Sequence, residues 1–191
     1  MKAQMAISQT SFQTSHQDLI DGCRKGDQKA QFQIYKLYYK AMYNASLRIV
    51  NNSMEAEDIM QESFLLAFEN IGTFSGTVSF GAWLKKIVLN RSLDFLRKKS
   101  KMIFEDIESL SLIEDRGDDS LNINTEAVSR VNKVMEVIKH LPEKCREILS
   151  LYLFEGYDHE EIAEILSISG STSRSQYSRA KQKLIREIGP K

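Results

Sequence analysis

The residues best equipped for recognition chemistry lie near the C-terminus, where short polar side chains alternate with arginines. Tyr177, Ala180 and Leu184 recur at helical spacing and predict the buried stripe of a helix. The opposite side then carries Ser171, Arg174, Ser175, Ser178 and Gln182, with Arg179 at its margin. An arginine can donate two hydrogen bonds to guanine O6 and N7, so this face suits insertion into the major groove of DNA. A solvated helix face without a ligand is the alternative.

A second candidate surface lies in residues 85–101, which contain seven basic residues and one acid, Asp94. One helical face would carry Lys86, Asn90, Asp94, Arg97 or Lys98, and Lys101, with Phe74, Phe80 and Trp83 just upstream. Basic side chains beside aromatic rings can hold a nucleic-acid backbone and stack unpaired bases, each stack contributing about 1–3 kcal/mol. Aromatic residues at helical spacing are more often core residues, so both interpretations stay open.

A third surface is predicted on the polar side of the segment that precedes the basic one. Its members are Asp58, Gln61, Glu62, Leu65 and Glu69. An exposed leucine among acids and an amide offers a protein partner both an apolar anchor and charge complementarity. A solvated face explains the same pattern, and the sequence does not choose between the two.

No group of residues predicts catalysis, a metal site or a cofactor. His16, His140 and His159 lack metal-ligand spacing, and there is no GxSxG motif or phosphate-binding glycine loop. Cys23 and Cys145 lie far apart and in no CxxC or Cys/His cluster, which argues against a disulfide framework or structural zinc. We therefore expect a protein that is not an enzyme and has no cofactor, metal or small-molecule substrate.

The net charge of zero, from 26 basic and 26 acidic residues, hides a segregation of charge along the chain. Basic residues dominate 85–101 and 170–191, and acidic residues dominate 105–119 between them. Because phosphate binding depends on Lys and Arg, the basic segments favour a nucleic-acid partner despite the net charge. No apolar run approaches the roughly 20 residues that span a bilayer, and the polar start lacks a signal-peptide core, so we expect a cytoplasmic protein.

Helices must position these candidate residues, because apolar residues recur at steps of three and four through most of the chain. The first half predicts helices from residue 28 to about 51, from an Asn52 or Ser53 cap to residue 71, and over 80–99 with a break near Asn90. In the second half, Pro142 suits the first turn of a helix that ends at Gly156.

The last two predicted helices form a recognisable motif. Asp158 and Glu161 can form a capping box at the start of a short helix. Residues 167–169 then interrupt the pattern before the basic helix begins. A short helix, a tight turn and a longer basic helix are typical of the helix-turn-helix arrangement.

Composition divides the chain into four segments. We expect residues 1–22 to be disordered or loosely ordered, 23–101 to form one domain, 102–126 to be a linker and 127–191 to form a second domain. The linker is rich in acids, Ser, Asn and Gly and cannot bury enough apolar surface to fold alone. The predicted fold class is all-α, with two small helical domains joined by an acidic flexible linker.

Together these motifs resemble a known family. Residues 55–71 (EAEDIMQESFLLAFENI) and 73–99 (TFSGTVSFGAWLKKIVLNRSLDFLRKK) resemble region 2 of the sigma-70 family of bacterial RNA polymerase sigma factors. Residues 141–186, from LPEKCREILSLYLFEGYDHEE to the basic helix, resemble region 4. No third folded domain fits between them, so the resemblance is to the short extracytoplasmic-function (ECF) subgroup. It implies a sigma factor that binds core polymerase, directs promoter recognition and melting, and starts transcription.

The resemblance also implies roles for residues at matching positions. For binding the coiled coil of the polymerase beta-prime subunit, these are Asp58, Gln61, Glu62 and Leu65. For opening the minus-10 promoter element and capturing its flipped base, they are Trp83, Lys86, Asn90, Asp94, Arg97 and Lys98. For reading the minus-35 element, they are Ser171, Thr172, Arg174, Ser175, Ser178 and Arg179.

The implied partners are core RNA polymerase, through its beta-prime and beta subunits, promoter DNA and an anti-sigma factor. The acidic linker would pass through the RNA exit channel. A stand-alone helix-turn-helix regulator is the alternative, but such a protein has no need of a polymerase-binding face. An adaptor that binds only proteins would leave both basic segments without a purpose.

Four positions depart from the usual pattern of the family. Ser167 stands where a turn glycine is usual, and with a positive φ a serine there costs on the order of 1 kcal/mol. Gly170 replaces a glutamate at the start of the recognition helix, and Ser173 replaces a buried valine. These changes predict a less rigid recognition helix. Lys85 stands where some members have an aromatic residue.

Overall fold

The computed structural model of the protein describes residues 16–106 and 126–188, with side chains for 16–101 and 132–188. Every regular element in these two ranges is helical, as the sequence predicts. The helices are α1 (residues 16–24), α2 (Gln28–Val50), α3 (Ser53–Glu69), α4 (Phe80–Asp106), α5 (Glu126–Lys139), α6 (Glu143–Leu153), α7 (His159–Leu166) and α8 (Gly170–Ile188), with a 3₁₀ turn at Ile71–Thr73. The chain divides into two compact units, Met1–Ile113 and Glu114–Lys191.

In the first unit, α2, α3 and α4 pack against one another around an apolar core that includes Ile34, Phe64 and Leu84. Local signals set where the helices begin. The Asp27 side chain accepts a hydrogen bond from the backbone N–H of Lys29 at the start of α2. Asn52 accepts one from Glu55 N at 3.0 Å and so provides the predicted cap of α3.

The prediction of a loosely ordered N-terminus is wrong for residues 16–22, which belong to α1. Ile20 is 4% exposed and Cys23 is 2% exposed, and both join the core of the first unit. Their spacing of three residues puts them on one side of α1, and burial of that side stabilises a segment that is otherwise polar. Residues 1–15 lie outside the described part of the chain.

Two further expectations about α4 are wrong. The helix passes through Asn90 without a break, because Asn90 is exposed while Leu89 and Leu93 on either side are buried. Its end is at Asp106, so residues 102–106 belong to a helix and not to the predicted linker. Residue 126, the last residue of the predicted linker, also belongs to a helix, because α5 begins there. The remainder of the predicted linker, 107–125, lies outside the described residues.

The second unit packs α5, α6 and α7 against α8 around a core that includes Ile138, Leu149 and Leu184. Pro142 is the residue immediately before α6 and not its first residue. That helix ends at Leu153, earlier than predicted, and Gly156 follows in the loop with φ 78°.

The motif formed by α7 and α8 begins with the predicted capping box. The Asp158 carboxylate accepts hydrogen bonds from Glu160 N and Glu161 N, and Glu161 Oε2 accepts one from Asp158 N at 2.8 Å. At the other end of α7, Ser167 has φ 54°, in the left-handed region, where its N–H bonds to the last carbonyls of the helix. The tight turn that follows leads directly into α8.

Candidate functional site

The outward face of α8 carries the six residues that the sequence predicts for contact with the minus-35 element. Ser173, Ala180 and Leu184 are buried on the inner side, and Tyr177 packs there half-buried. The exposed set comprises Ser171, Thr172, Arg174, Ser175, Ser178 and Arg179. A polar, basic helix face is therefore supported on an apolar base, as insertion into a groove requires.

Hydroxyl groups cluster at the start of α8. Ser169 Oγ accepts a hydrogen bond from Thr172 N at 3.1 Å and caps the helix. It also lies 2.8 Å from Ser171 Oγ and 2.8 Å from Thr172 Oγ1. Phosphate groups are favoured at such a terminus, because the first backbone N–H groups point outward and the helix dipole is positive there.

A polar contact that the sequence analysis missed fixes α8 against α7. Ser173 is fully buried, and its hydroxyl lies 2.9 Å from Nδ1 of His159, the first residue of α7. From the sequence, His159 is excluded as a metal ligand and receives no other role. The signal that could have revealed the contact is the helical spacing of Ser173 with Tyr177, Ala180 and Leu184, because a hydroxyl on the buried side of a helix needs a partner.

Aromatic rings surround that contact. The His159 ring stacks on Tyr152 at 4.7 Å and meets Tyr177 edge-on at 5.4 Å. The Tyr152 and Tyr177 rings are themselves 4.5 Å apart. Tyr152 therefore packs against the helix-turn-helix while remaining 37% exposed, and does not lie in the core. These ring contacts therefore join α6, α7 and α8.

Ionisable groups are also buried in α6. Glu147 is fully buried, and burial raises the pKa of its carboxyl, against the opposing effect of Lys144, whose Nζ lies 3.3 Å from each carboxylate oxygen. Burial likewise raises the pKa of the Cys145 thiol, and the positive charges of Arg179 and Lys183 oppose that shift. Both thiols, at Cys23 and Cys145, are free and buried.

On α4, the predicted basic face is exposed, with one carboxylate within it. Lys86, Asn90, Asp94, Arg97 and Lys98 are all exposed, and Asp94 pairs with Arg97 at 2.8 Å. The aromatic residues divide between core and surface. Phe74 and Phe80 are buried in the core, whereas Trp83 is half-buried, with its ring centre 5.4 Å from each of theirs. Of the three rings, only Trp83 keeps a partly accessible surface.

The acidic face of α3 is exposed as predicted. Asp58, Gln61 and Glu62 are accessible, and Leu65 is 64% exposed. Glu62 forms an ion pair of 2.7 Å with Arg91 of α4. Asp58 and Glu62 share a groove with Asp94 and Lys98, so this face adjoins the basic face of α4.

Sequence reasoning missed the apolar neighbour of Leu65. Phe32 of α2 is 55% exposed and lines a second groove together with Gln61, Leu65 and Phe68. An apolar patch of this kind is typical of protein-binding surfaces. The signal is weak in the sequence, because Phe32 lies off the apolar stripe of α2 and its proximity to Leu65 depends on how the two helices pack.

Within the described part of the chain, no group of His, Cys, Asp and Glu residues is arranged to hold a metal ion. Nor does any helix in that part have the length and apolar character needed to cross a membrane.

Comparisons with known proteins agree with the geometry. The family described as "Sigma-70 region 2" matches residues 34–102, and "Sigma-70, region 4" matches residues 132–184. The ECF RNA polymerase sigma factor SigW of Bacillus subtilis is 31% identical over 176 residues, covering 88% of this chain and 94% of that protein. The RNA polymerase sigma-H factor of Pseudomonas aeruginosa is 28% identical over 190 residues, covering 93% of this chain and 96% of that protein.

A solved structure shares the fold. The sigma factor RpoE of Bartonella quintana, in complex with the anti-sigma factor NepR, has a TM-score of 0.59 and 20% identity, covering 82% of this chain and 94% of that one. Both halves of the present chain thus match the same family, and the two curated relatives are covered over nearly their whole length. The chain belongs to the sigma-70 family of RNA polymerase sigma factors, and within it to the extracytoplasmic-function subgroup.

Proposed function

We propose that this sigma factor reads the minus-35 element with the outward face of α8, opens the minus-10 element with α4 and binds core polymerase through α3. As a member of its family, it directs RNA polymerase to promoters and starts transcription. The observation that carries the assignment of sites is the exposed row of hydroxyls and arginines on α8, supported by a buried apolar side. The protein supplies recognition, and the catalytic chemistry of RNA synthesis belongs to the polymerase.

The proposed minus-35 contacts divide by chemistry. Arg174 and Arg179 can read base edges, whereas Ser171, Thr172 and Ser175 lie near the start of α8, where phosphate is favoured. Hydroxyls at this end fix the helix on the backbone, and the arginines then face the bases. This division follows the general rule that phosphate contacts position a protein while base contacts specify the sequence.

The proposed minus-10 site is the face of α4 that runs from Trp83 to Lys98. Lys86, Arg97 and Lys98 supply positive charge for the strand backbone, and Asn90 and Asp94 can hydrogen-bond to unpaired bases. The partly accessible ring of Trp83 offers one surface for stacking. The neighbouring face of α3, with Asp58, Gln61, Glu62 and Leu65, is the proposed contact with the beta-prime coiled coil.

The proposal also includes an anti-sigma factor and the polymerase beta subunit as partners, and the cytoplasm as the location. The similar sigma factor RpoE of Bartonella quintana is bound to an anti-sigma factor, and the exposed apolar groove at Phe32 and Leu65 gives such a partner an anchor. The beta subunit is proposed to contact the second unit, and the protein is proposed to act in the cytoplasm, where core polymerase and promoter DNA are found.

Run-off transcription on genomic fragments tests the proposal, with purified core polymerase in the presence or absence of the protein. We expect discrete new transcripts that depend on the protein, and their start sites give the promoter sequence. DNA binding without transcripts or polymerase association would contradict the proposal and favour a stand-alone regulator.

The variant Arg174→Ala tests the site on α8. We expect promoter binding by the holoenzyme to weaken by about 1–3 kcal/mol, with relaxed sequence preference in the upstream element, because a bidentate base contact is lost. Lys133→Ala, which removes an exposed positive charge from α5, is the matched control. An equal loss of affinity on cognate and random DNA would show that Arg174 contacts only the backbone.

A further inference from the structure

An ion pair connects the two helices of the helix-turn-helix on its exposed side. Glu160 Oε1, in the first turn of α7, lies 2.7 Å from Nη1 of Arg174 on α8. The Glu160 side chain is 70% exposed and that of Arg174 is 55% exposed. Exposed pairs of this kind contribute little to the stability of a protein. The pair therefore matters mainly for where it holds the guanidinium group.

Gly170 leaves the space in which this pair lies. A Cβ atom at position 170 would come within 3.1 Å of Glu160 Oε1 and within 3.5 Å of both terminal nitrogens of Arg174. The glycine is not required by the backbone, because Gly170 is the first residue of α8 and has no positive φ. It is also a poor helix former compared with alanine. A side chain at position 170 would therefore crowd the Glu160 carboxylate, whereas its contact with the guanidinium group would have an ordinary van der Waals distance.

The backbone of Glu160 is fixed at the start of α7, which places its side chain beside Arg174. The Glu160 backbone N–H donates to Asp158 Oδ1 at 2.9 Å, within the capping box that begins α7. A guanidinium group has five N–H donors in a planar fork, so a contact through Nη1 leaves donors that can reach a base edge. An arginine that is already oriented loses less side-chain entropy when it binds.

We infer that Glu160 is a positioning residue that orients Arg174 for base recognition, and that the absence of a side chain at Gly170 favours this contact. The inference rests on the proposed base contact of Arg174. A carboxylate near DNA repels phosphates, so Glu160 lowers affinity for DNA of any sequence while sharpening the choice of one base pair. Glu160 thus acts on specificity more than on affinity.

The test uses full-length protein in complex with core polymerase and a set of promoter DNAs that carry each of the four bases at every position of the minus-35 element. The variants are Glu160→Ala, Gly170→Ala and Arg174→Ala. Glu164→Ala is the matched control. Glu164 is an exposed glutamate on the same helix as Glu160, so its substitution removes the same charge. Relative affinity for each DNA gives the discrimination at each base pair.

We expect Glu160→Ala to reduce discrimination by about three- to tenfold at the base pair where Arg174→Ala abolishes it, on the scale of one orienting hydrogen bond. Gly170→Ala should reduce it less, because the Glu160 carboxylate then has to shift by only a few tenths of an ångström. Glu164→Ala should leave that discrimination unchanged. Affinity for random DNA should rise equally in Glu160→Ala and Glu164→Ala, since both remove one negative charge.

Thermal unfolding separates positioning from a structural role. Gly170→Ala should unfold at the same or a higher temperature than the wild type, since alanine favours the helix. Loss of discrimination together with a lower unfolding temperature would overturn the inference. The inference would also be overturned if Glu160→Ala kept full base discrimination while Arg174→Ala lost it. That result would leave the proposed function intact. Full discrimination in Arg174→Ala would instead refute the proposed base contact.

Discussion

Truncation of Leu65 gives a quantitative test of the polymerase-binding face. Complete burial of a leucine side chain contributes about 1.5–3 kcal/mol. Because Leu65 is 64% exposed, a partner that covers it can still gain about 1–2 kcal/mol of that amount. Leu65→Ala should therefore weaken the binding of core polymerase about five- to thirtyfold. The free energy of unfolding should change by no more than about 0.5 kcal/mol, because the side chain is mostly in solvent.

The assay is a titration of fluorescently labelled full-length protein with core polymerase, followed by anisotropy. The control is Leu37→Ala, because Leu37 is 48% exposed in the same unit but lies on α2, outside the proposed face. We expect the control to bind as the wild type does. Equal affinity for Leu65→Ala and the wild type, or equal losses in both variants, would refute the assignment of this face.

Three stability predictions follow from the second unit. Glu147→Gln should raise the unfolding temperature more at about pH 8 than at about pH 5. Burial raises the pKa of Glu147 above its ordinary 4.5. The stabilising contribution of this group is therefore fully present below its ordinary pKa and is lost as pH rises through the raised pKa. A pH-independent effect would exclude this cause. Ser173→Ala should destabilise the protein by about 1 kcal/mol through loss of the bond to His159, and a double-mutant cycle with His159→Ala should show coupling. Ser167→Gly should stabilise it by about 1 kcal/mol, because Ser167 has φ 54°; chemical denaturation measures the change, and a loss of stability would contradict the strain.

Local patterns were sufficient to predict most of the helices. The stripe of Met42, Ala45 and Ile49 follows from spacing alone, and all three side chains are buried in α2. The caps at Asn52 and Asp158 depend on residues within one turn of the helix start, so they too can be predicted from the sequence. The exposed face of α8 follows by geometry once its buried side is known.

Features that depend on tertiary packing could not be predicted in this way. The first helix of the chain is mostly polar, and its order depends on a core into which Ile20 and Cys23 pack. Glu147 lies within residues 145–151 of α6, all of which are buried, and no amphipathic pattern shows burial around a whole helix. The pairing of Glu160 with Arg174 joins residues 14 positions apart and depends on the angle between two helices.

Because of the buried contact between His159 and Ser173, the effect of a substitution at one of these positions depends on the residue at the other. An aliphatic contact in its place would be non-directional and would tolerate small rotations of α8, whereas a hydrogen bond requires one orientation. Replacing only the serine leaves an imidazole nitrogen without its partner, and replacing only the histidine leaves a buried hydroxyl unsatisfied. Substitution at either position is therefore tolerated best when both change together, and variants of this protein should alter positions 159 and 173 jointly.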